Sequence, residues 1–117
     1  MSALVWNCGG LGSALTVQKL CECAHEWGPK LVFLSETKCS QKRFERVREC
    51  LNMFGVCVLS VGRAGGLVLL WNKEIVVQLR SFSANHIAVD ILGDESVANW
   101  RFTGFYGEPE ASRRTQI

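Results

Sequence analysis

No apolar run in this chain approaches the roughly 20 residues that a membrane-spanning helix needs. Nor does the amino terminus, MSALVWNCGG, carry the basic n-region and long apolar h-region of a secretory leader. Both absences point to an intracellular protein, nuclear or cytoplasmic, with no membrane partner. The six cysteines, at 8, 21, 23, 39, 50 and 57, include no CxxC pair, and Cys21 and Cys23 stand too close for a zinc knuckle. An even cysteine count in a short chain can signal a disulfide scaffold. Here the missing leader and a 48% hydrophobic composition favour reduced thiols packed as small apolar side chains. Charge of one sign is also scarce. The formal net charge is +2, too weak to argue for nucleic acid by itself. Lys38, Lys42, Arg43, Arg46 and Arg48 do cluster, but Glu45 and Glu49 lie among them. That is the pattern of a solvated helix face with local Arg–Glu pairing. There is no repeat, linker or low-complexity segment.

What remains is one modest globular domain of 117 residues. ALVWN, residues 3–7, reads as a strand ending at Gly9, Gly10 and Gly12. Ser13 can cap a helix starting at the next residue. Val17, Leu20, Cys21, Ala24 and Trp27 recur at helical spacing until Gly28-Pro29, which predicts a helix over 14–27. LVFL, residues 31–34, is continuous rather than alternating and suits a strand covered on both faces. Strand, helix and strand in this order predict a right-handed crossover with parallel strands. A second helix starts at Ser40, with Phe44, Val47, Leu51 and Phe54 as its inner stripe and Gly55 as its end.

Beyond residue 55 the rhythm changes. VCVLSVG, GLVLLW, IVVQLRSF, HIAVDIL and WRFTGFYG are strand-like, and the breaks between them are too short for helices. The fold class is therefore α/β or α+β, a βαβ start followed by an antiparallel β-meander. A sheet of six or seven strands with helices on one side predicts a bare second face. Such a face would invite self-association or a covering partner. The end of the chain, EPEASRRTQI, reads as a polar coil.

In LVFLSETK, a buried-looking run leads straight into Ser35, Glu36, Thr37 and Lys38. Glu36 then lies at the carboxyl end of a parallel strand, where open α/β sheets place their ligands. Asn7 ends the neighbouring strand and Tyr106 ends the last one. These three residues form the candidate site. One chemistry for it is a divalent cation. Mg²⁺ binds through one or two carboxylates, keeps waters and completes its shell from phosphate, and a Tyr hydroxyl can donate to a phosphate oxygen. A second is a dinucleotide, since Gly10 and Gly12 open a helix and the acid Glu36 arrives 24 residues after Gly12. Leu15 stands where the third glycine belongs, and no further βαβ units come after it. A third treats Glu36 as a surface carboxylate that pairs with Lys38 or caps the helix from Ser40. His86 reads as a hydrogen-bonded turn residue and Arg63 as a hairpin cation within reach of phosphate. Trp6, Trp71 and Trp100 read as core aromatics.

Four segments, VWNCGGLGS, LVFLSETK, VGRAGGLVLLW and WRFTGFYGEPEASRR, together resemble the amino-terminal half of the endonuclease/exonuclease/phosphatase superfamily. They are most similar to the endonuclease domain of plant non-LTR (LINE-type) retrotransposon proteins. The resemblance implies half of a four-layer αββα sandwich over residues 1–110, with 111–117 as a polar tail. It implies phosphodiester chemistry on nucleic acid with Mg²⁺ or Mn²⁺, weakly held. It makes Glu36 a metal ligand, has Asn7 position the phosphate and metal-bound groups, and has Tyr106 contact the phosphate. The superfamily's later GDFN-type and SDH-type segments do not occur before Ile117, and Asp90 and Asp94 match no motif. The chain is therefore expected to be inactive alone, since a missing base and a missing acid each remove about 10²–10⁴-fold. It would otherwise be active once completed by a longer product or a partner, or serve as a non-catalytic binding module.

Overall fold

A computed structural model describes residues 2–59, 65–93 and 99–106. Strand β1 (Ala3–Asn7) leads into helix α1 (Ala14–Trp27), strand β2 (Leu31–Ser35) and helix α2 (Gln41–Leu51). Strands β3 (Met53–Val58), β4 (Leu67–Asn72), β5 (Val76–Phe82), β6 (His86–Leu92) and β7 (Trp100–Phe105) complete the order.

Both helices begin where the caps predict. Ser13 Oγ accepts from Thr16 N–H, and Ser40 Oγ accepts from Arg43 N–H at 3.1 Å. α1 ends at Gly28, whose left-handed backbone donates its N–H to Ala24 O. α2 stops earlier than its apolar spacing suggests. Asn52, at φ 55°, closes it by donating to Arg48 and Glu49 carbonyls. The chain is already extended at Met53, so Phe54 and Gly55 belong to β3, and Phe54 is exposed. Trp27 is likewise 73% exposed rather than part of α1's inner stripe.

β1 and β2 are parallel, with Asn7 opposite Ser35, as the crossover predicts. β4 then inserts between β2 and β3, antiparallel to both, giving the order β1-β2-β4-β3. This placement leaves β4 no free edge. β5 therefore cannot pair with β4 as a hairpin, and after the turn at Asn72 the chain crosses to start a second sheet, β5-β6-β7, antiparallel throughout. The expected single sheet with a bare face is thus replaced by two sheets packed face to face.

The packing explains the continuous apolar runs. In β2 and β4, Val32, Leu34, Val68 and Leu70 face the helices and pack with Leu20, Phe44 and Val47. Leu31, Phe33, Leu67 and Leu69 face the second sheet and pack with Ile87, Val89 and Ile91. Neither strand has a solvent face, so neither alternates. β7 lies over β2, where Gly104 sits against the Phe33 ring. β6 crosses β4. β5 lies over β3, and the two strands share an apolar cleft lined by Val58, Leu79 and Phe82. Among the described residues nothing lies over β1. Its Leu4 and Trp6 pack on the helix side, while Val5, facing the other way, is 63% exposed.

A Cβ at Gly104 would stand 2.6 Å from Phe33 ring carbons. Gly104→Ala must push the sheets apart and is expected to cost about 1–3 kcal/mol in urea denaturation. A Cβ at Gly12 meets nothing within 4 Å, so Gly12→Ala is expected to be neutral or slightly stabilising. Equal stability of the two variants would contradict the sheet packing.

Candidate functional site

The carboxyl ends of β1, β2 and β7 and the amino ends of β4 and β6 meet at one edge of the sandwich. After Ser35 the chain cannot continue as strand, because Glu36 and Lys38 adopt left-handed backbones, φ 55° and 45°. Each such non-glycine residue costs on the order of 1–3 kcal/mol and persists only where its surroundings over-determine it. They do so here. Thr37, 2% exposed, donates its N–H to Gly66 O, and Lys38 N–H donates to Gly65 O, both at 3.1 Å. On the other side Thr37 O accepts from Leu11 N–H at 2.8 Å, and Ser35 O accepts from Cys8 N–H at 3.1 Å. The strap 36–38 is stitched to the loop after β1 and to the turn before β4.

This strap aims Glu36 at two donors. Gly65 N–H reaches Oε1 at 3.2 Å, and Tyr106 O–H reaches Oε2 at 2.9 Å. Tyr106 is fixed in turn by its own N–H, which donates to Asn85 O at 2.8 Å. The Gly65 N–H, then the Tyr106 hydroxyl and the nearby Lys38 charge, hold the Glu36 carboxyl below the usual glutamate range against a smaller effect of burial. The group is ionised at neutral pH. Among the described residues each oxygen accepts one of these bonds, and a carboxylate oxygen has two acceptor sites.

Asn7 is exposed at the end of β1, in register with the residue before Glu36. The structure therefore joins Glu36 to Tyr106 directly and sets Asn7 beside them on the same edge. The nearby thiols are not nucleophiles. Burial pushes Cys8 and Cys39 up, which keeps them protonated. Among the described residues no three His, Cys, Asp or Glu side chains form a metal cluster. An ion here would rest on the Glu36 carboxylate, water and a substrate phosphate, a donor set that fits Mg²⁺ or Mn²⁺ and not a closed zinc site.

Two solved structures share this arrangement of strands and helices. AP endonuclease LMAP from Leishmania major superposes with a TM-score of 0.64 at 14% identity, over 98% of this chain and 43% of that one. TDP2 from D. rerio, solved with a single-strand DNA product, gives 0.61 at 15% identity, over 99% of this chain and 50% of that one. The chain has part of the endonuclease/exonuclease/phosphatase fold. It spans about half the length of either structure. No family model and no curated protein matches the sequence.

In this fold the residues outside the edge take structural parts. His86 is held between Ser81 Oγ at 3.0 Å and Ser83 Oγ at 2.7 Å, the hydrogen-bonded turn residue its sequence suggests. Asp90 bridges Arg101 at 2.7 Å and Arg80 at 3.4 Å on the outer face of the second sheet. Trp6 and Trp71 pack against the cores, whereas Trp100 is 37% exposed. Arg63, Asp94 and the segment 107–117 lie outside the described residues. The dinucleotide alternative fails on topology, since the described sheets contain one parallel pair and no second βαβ unit. Sequence reasoning missed the Gly65 N–H. The paired glycines announce a turn, but nothing local says which carboxylate the turn faces.

Tyr106→Phe removes one donor and should move the Glu36 titration, tracked by carboxyl ¹³C shifts, toward the ordinary glutamate value. Because the folded value is the lower one, the stability that Glu36 contributes is complete above the unfolded pKa, near 4.3. It is lost as pH falls through the folded pKa. The variant should lose this contribution at higher pH than the parent. An unmoved titration would mean that Tyr106 does not hold Glu36.

Proposed function

We propose that this chain is the amino-terminal half of a metal-dependent phosphodiesterase-like domain acting on nucleic acid, that it carries part of a Mg²⁺ or Mn²⁺ site on Glu36, and that it does not hydrolyse phosphodiesters alone. The observation that carries the proposal is the Glu36 carboxylate, kept ionised by Gly65 N–H and Tyr106 O–H at the edge where three strands end. In this role Glu36 is the metal ligand, Asn7 positions the phosphate and Tyr106 contacts it. A single carboxylate predicts a weakly held ion that gains affinity when phosphate is present. The fold shared with an AP endonuclease and with a protein solved with a DNA product supports nucleic acid as the substrate class. The four sequence motifs support a plant LINE-type origin.

Inactivity is argued from the chemistry of Glu36, Asn7 and Tyr106 together. They can hold an ion and a phosphate. None of them is a base poised to deprotonate the attacking water, because Glu36 is held below the usual carboxylate range and the other two are neutral.

The overhang of β1 favours a second reading, in which a longer product or a partner completes an active enzyme. Among the described residues the first sheet is four strands wide and the second three, so one further strand paired to β7 would cover Val5. The two readings separate in one experiment. Purified chain should bind Mn²⁺ weakly in a water-proton relaxation titration, Glu36→Gln should abolish binding, and supercoiled plasmid should remain intact with Mg²⁺. Nicking that depends on Glu36 would refute the inactive reading. Equal Mn²⁺ binding by the parent and Glu36→Gln would refute the metal site. Expression of an in-frame continuation carrying Asp-x-Asn and Asp-His segments should restore nicking if the second reading holds.

A further inference from the structure

α2 reaches back to the site through one side chain. Arg43 is the third residue of the helix, and its own N–H is bound by the capping Ser40 Oγ. Its part-buried Nε–H donates to Leu11 O at 2.8 Å, and Nη2 donates to Gly12 O at 3.5 Å. Arg48, five residues further along the same helix, pairs with Glu45 at 2.6 Å and donates to Met53 O at 3.2 Å, staying on its own helix and the start of β3. Arg43 instead crosses from the first turn of α2 to the loop after β1.

Between the buried Cys8 and Leu11 the loop it grips is weakly constrained. Gly9 and Gly10 adopt φ 67° and 118°, and a Cβ at either would meet nothing within 4 Å. No side chain there packs the backbone in place. Leu11 anchors the far side with a fully buried side chain, and its N–H donates to Thr37 O. The Leu11 peptide thus sits between Arg43 from α2 and Thr37 from the Glu36 strap. The guanidinium fork suits this task because it spans two successive carbonyls, which an ammonium cannot do at fixed geometry.

We infer that Arg43 is a positioning residue of the site: its guanidinium, bound to the Leu11 and Gly12 carbonyls, holds the loop after Asn7 against the Glu36 strap. The inference rests on the metal-site reading of Glu36 and extends it to a residue that contacts neither ion nor phosphate. Removing a partner hydrogen-bonded to a ligating side chain typically costs about 10–100-fold in metal affinity, and Arg43 acts one step further out, through the Leu11 peptide and Thr37. Arg43→Ala should weaken Mn²⁺ binding on the order of tenfold by that measure. Arg43→Lys should recover part of the loss. Lys42→Ala, which removes the same charge from the exposed neighbouring position, should change affinity by less than about twofold. Amide hydrogen exchange at Gly9, Gly10 and Leu11 should accelerate in Arg43→Ala and not in Lys42→Ala, with circular dichroism confirming that each variant is folded.

Equal loss in Arg43→Ala and Lys42→Ala would reduce the effect to charge and overturn the inference. Unchanged loop exchange in Arg43→Ala would overturn it as well. The exchange measurement keeps the two proposals apart. If Glu36→Gln binds Mn²⁺ like the parent, the metal site falls, while loop exchange still reports whether Arg43 holds the loop.

Discussion

The position of β4 governs the rest of the molecule. Lodged between β2 and β3, it satisfies the backbone groups on both its edges, so the strand that follows it cannot pair with it as a hairpin. The chain beyond Asn72 starts a second sheet instead, and the apolar faces of β2 and β4 supply the surface on which it builds. β7 consequently lies across β2, with Gly104 permitting the close approach to Phe33. Tyr106, one residue past β7, arrives over Glu36, 70 positions away in sequence. The turn before β4 arrives there too, since β4 runs antiparallel to β2 and starts where β2 ends. A carboxylate, a hydroxyl and a backbone N–H meet because of how two sheets stack, not because of any local motif.

Electrostatics at that edge differ in kind from those elsewhere in the molecule. Asp90 is also held below the usual carboxylate range, chiefly by the hydrogen bond and charge of Arg101 and then by Arg80. Its partners are cations on neighbouring strands, so the charges cancel within an exposed ladder of small energetic value. Glu36 is held down by neutral donors first, with only a lesser contribution from Lys38. Its negative charge is stabilised without being cancelled. A carboxylate in that condition remains available to a cation, whereas Asp90 is already spent on two arginines.

How much of this was legible in the sequence depended on range. The parallel β1–β2 pair, both helix starts and the strand-rich second half could be read from caps, turn residues and periodicity, all of them local signals. The continuous run LVFL correctly implied a strand buried on both faces. What it could not say was that the cover would come from this chain's own β5, β6 and β7. That depends on strand order, and a short connection between strands does not distinguish a hairpin from a crossing between sheets. The end of α2 was misjudged for a related reason. Phe54 continues the helical spacing, but Asn52 tolerates a left-handed backbone and ends the helix first. Glu36, Asn7 and Tyr106 were legible as residues at strand ends on one edge. Gly65 and Arg43 were not, because a backbone donor and a cation inside a charged run carry no local mark of their targets.

The backbone at Glu36 also bears on why a carboxylate stands there. The chain takes left-handed conformations at both helix ends, and there it uses Gly28 and Asn52, residues that accept the geometry at little cost. At 36 and 38 it uses Glu and Lys, which do not. A purely structural turn of the same shape would be more stable with glycine at either position, since the hydrogen bonds that stitch the strap come from backbone groups glycine also has. The strain at Glu36 is therefore tied to its side chain. Part of it is offset by the bonds from Gly65 and Tyr106. Yet those bonds gain little for folding, because the carboxylate they hold could have stayed in water, fully hydrated, at no conformational cost. The arrangement makes physical sense if the fixed negative charge is needed at that place, which is the condition a cation-binding edge imposes.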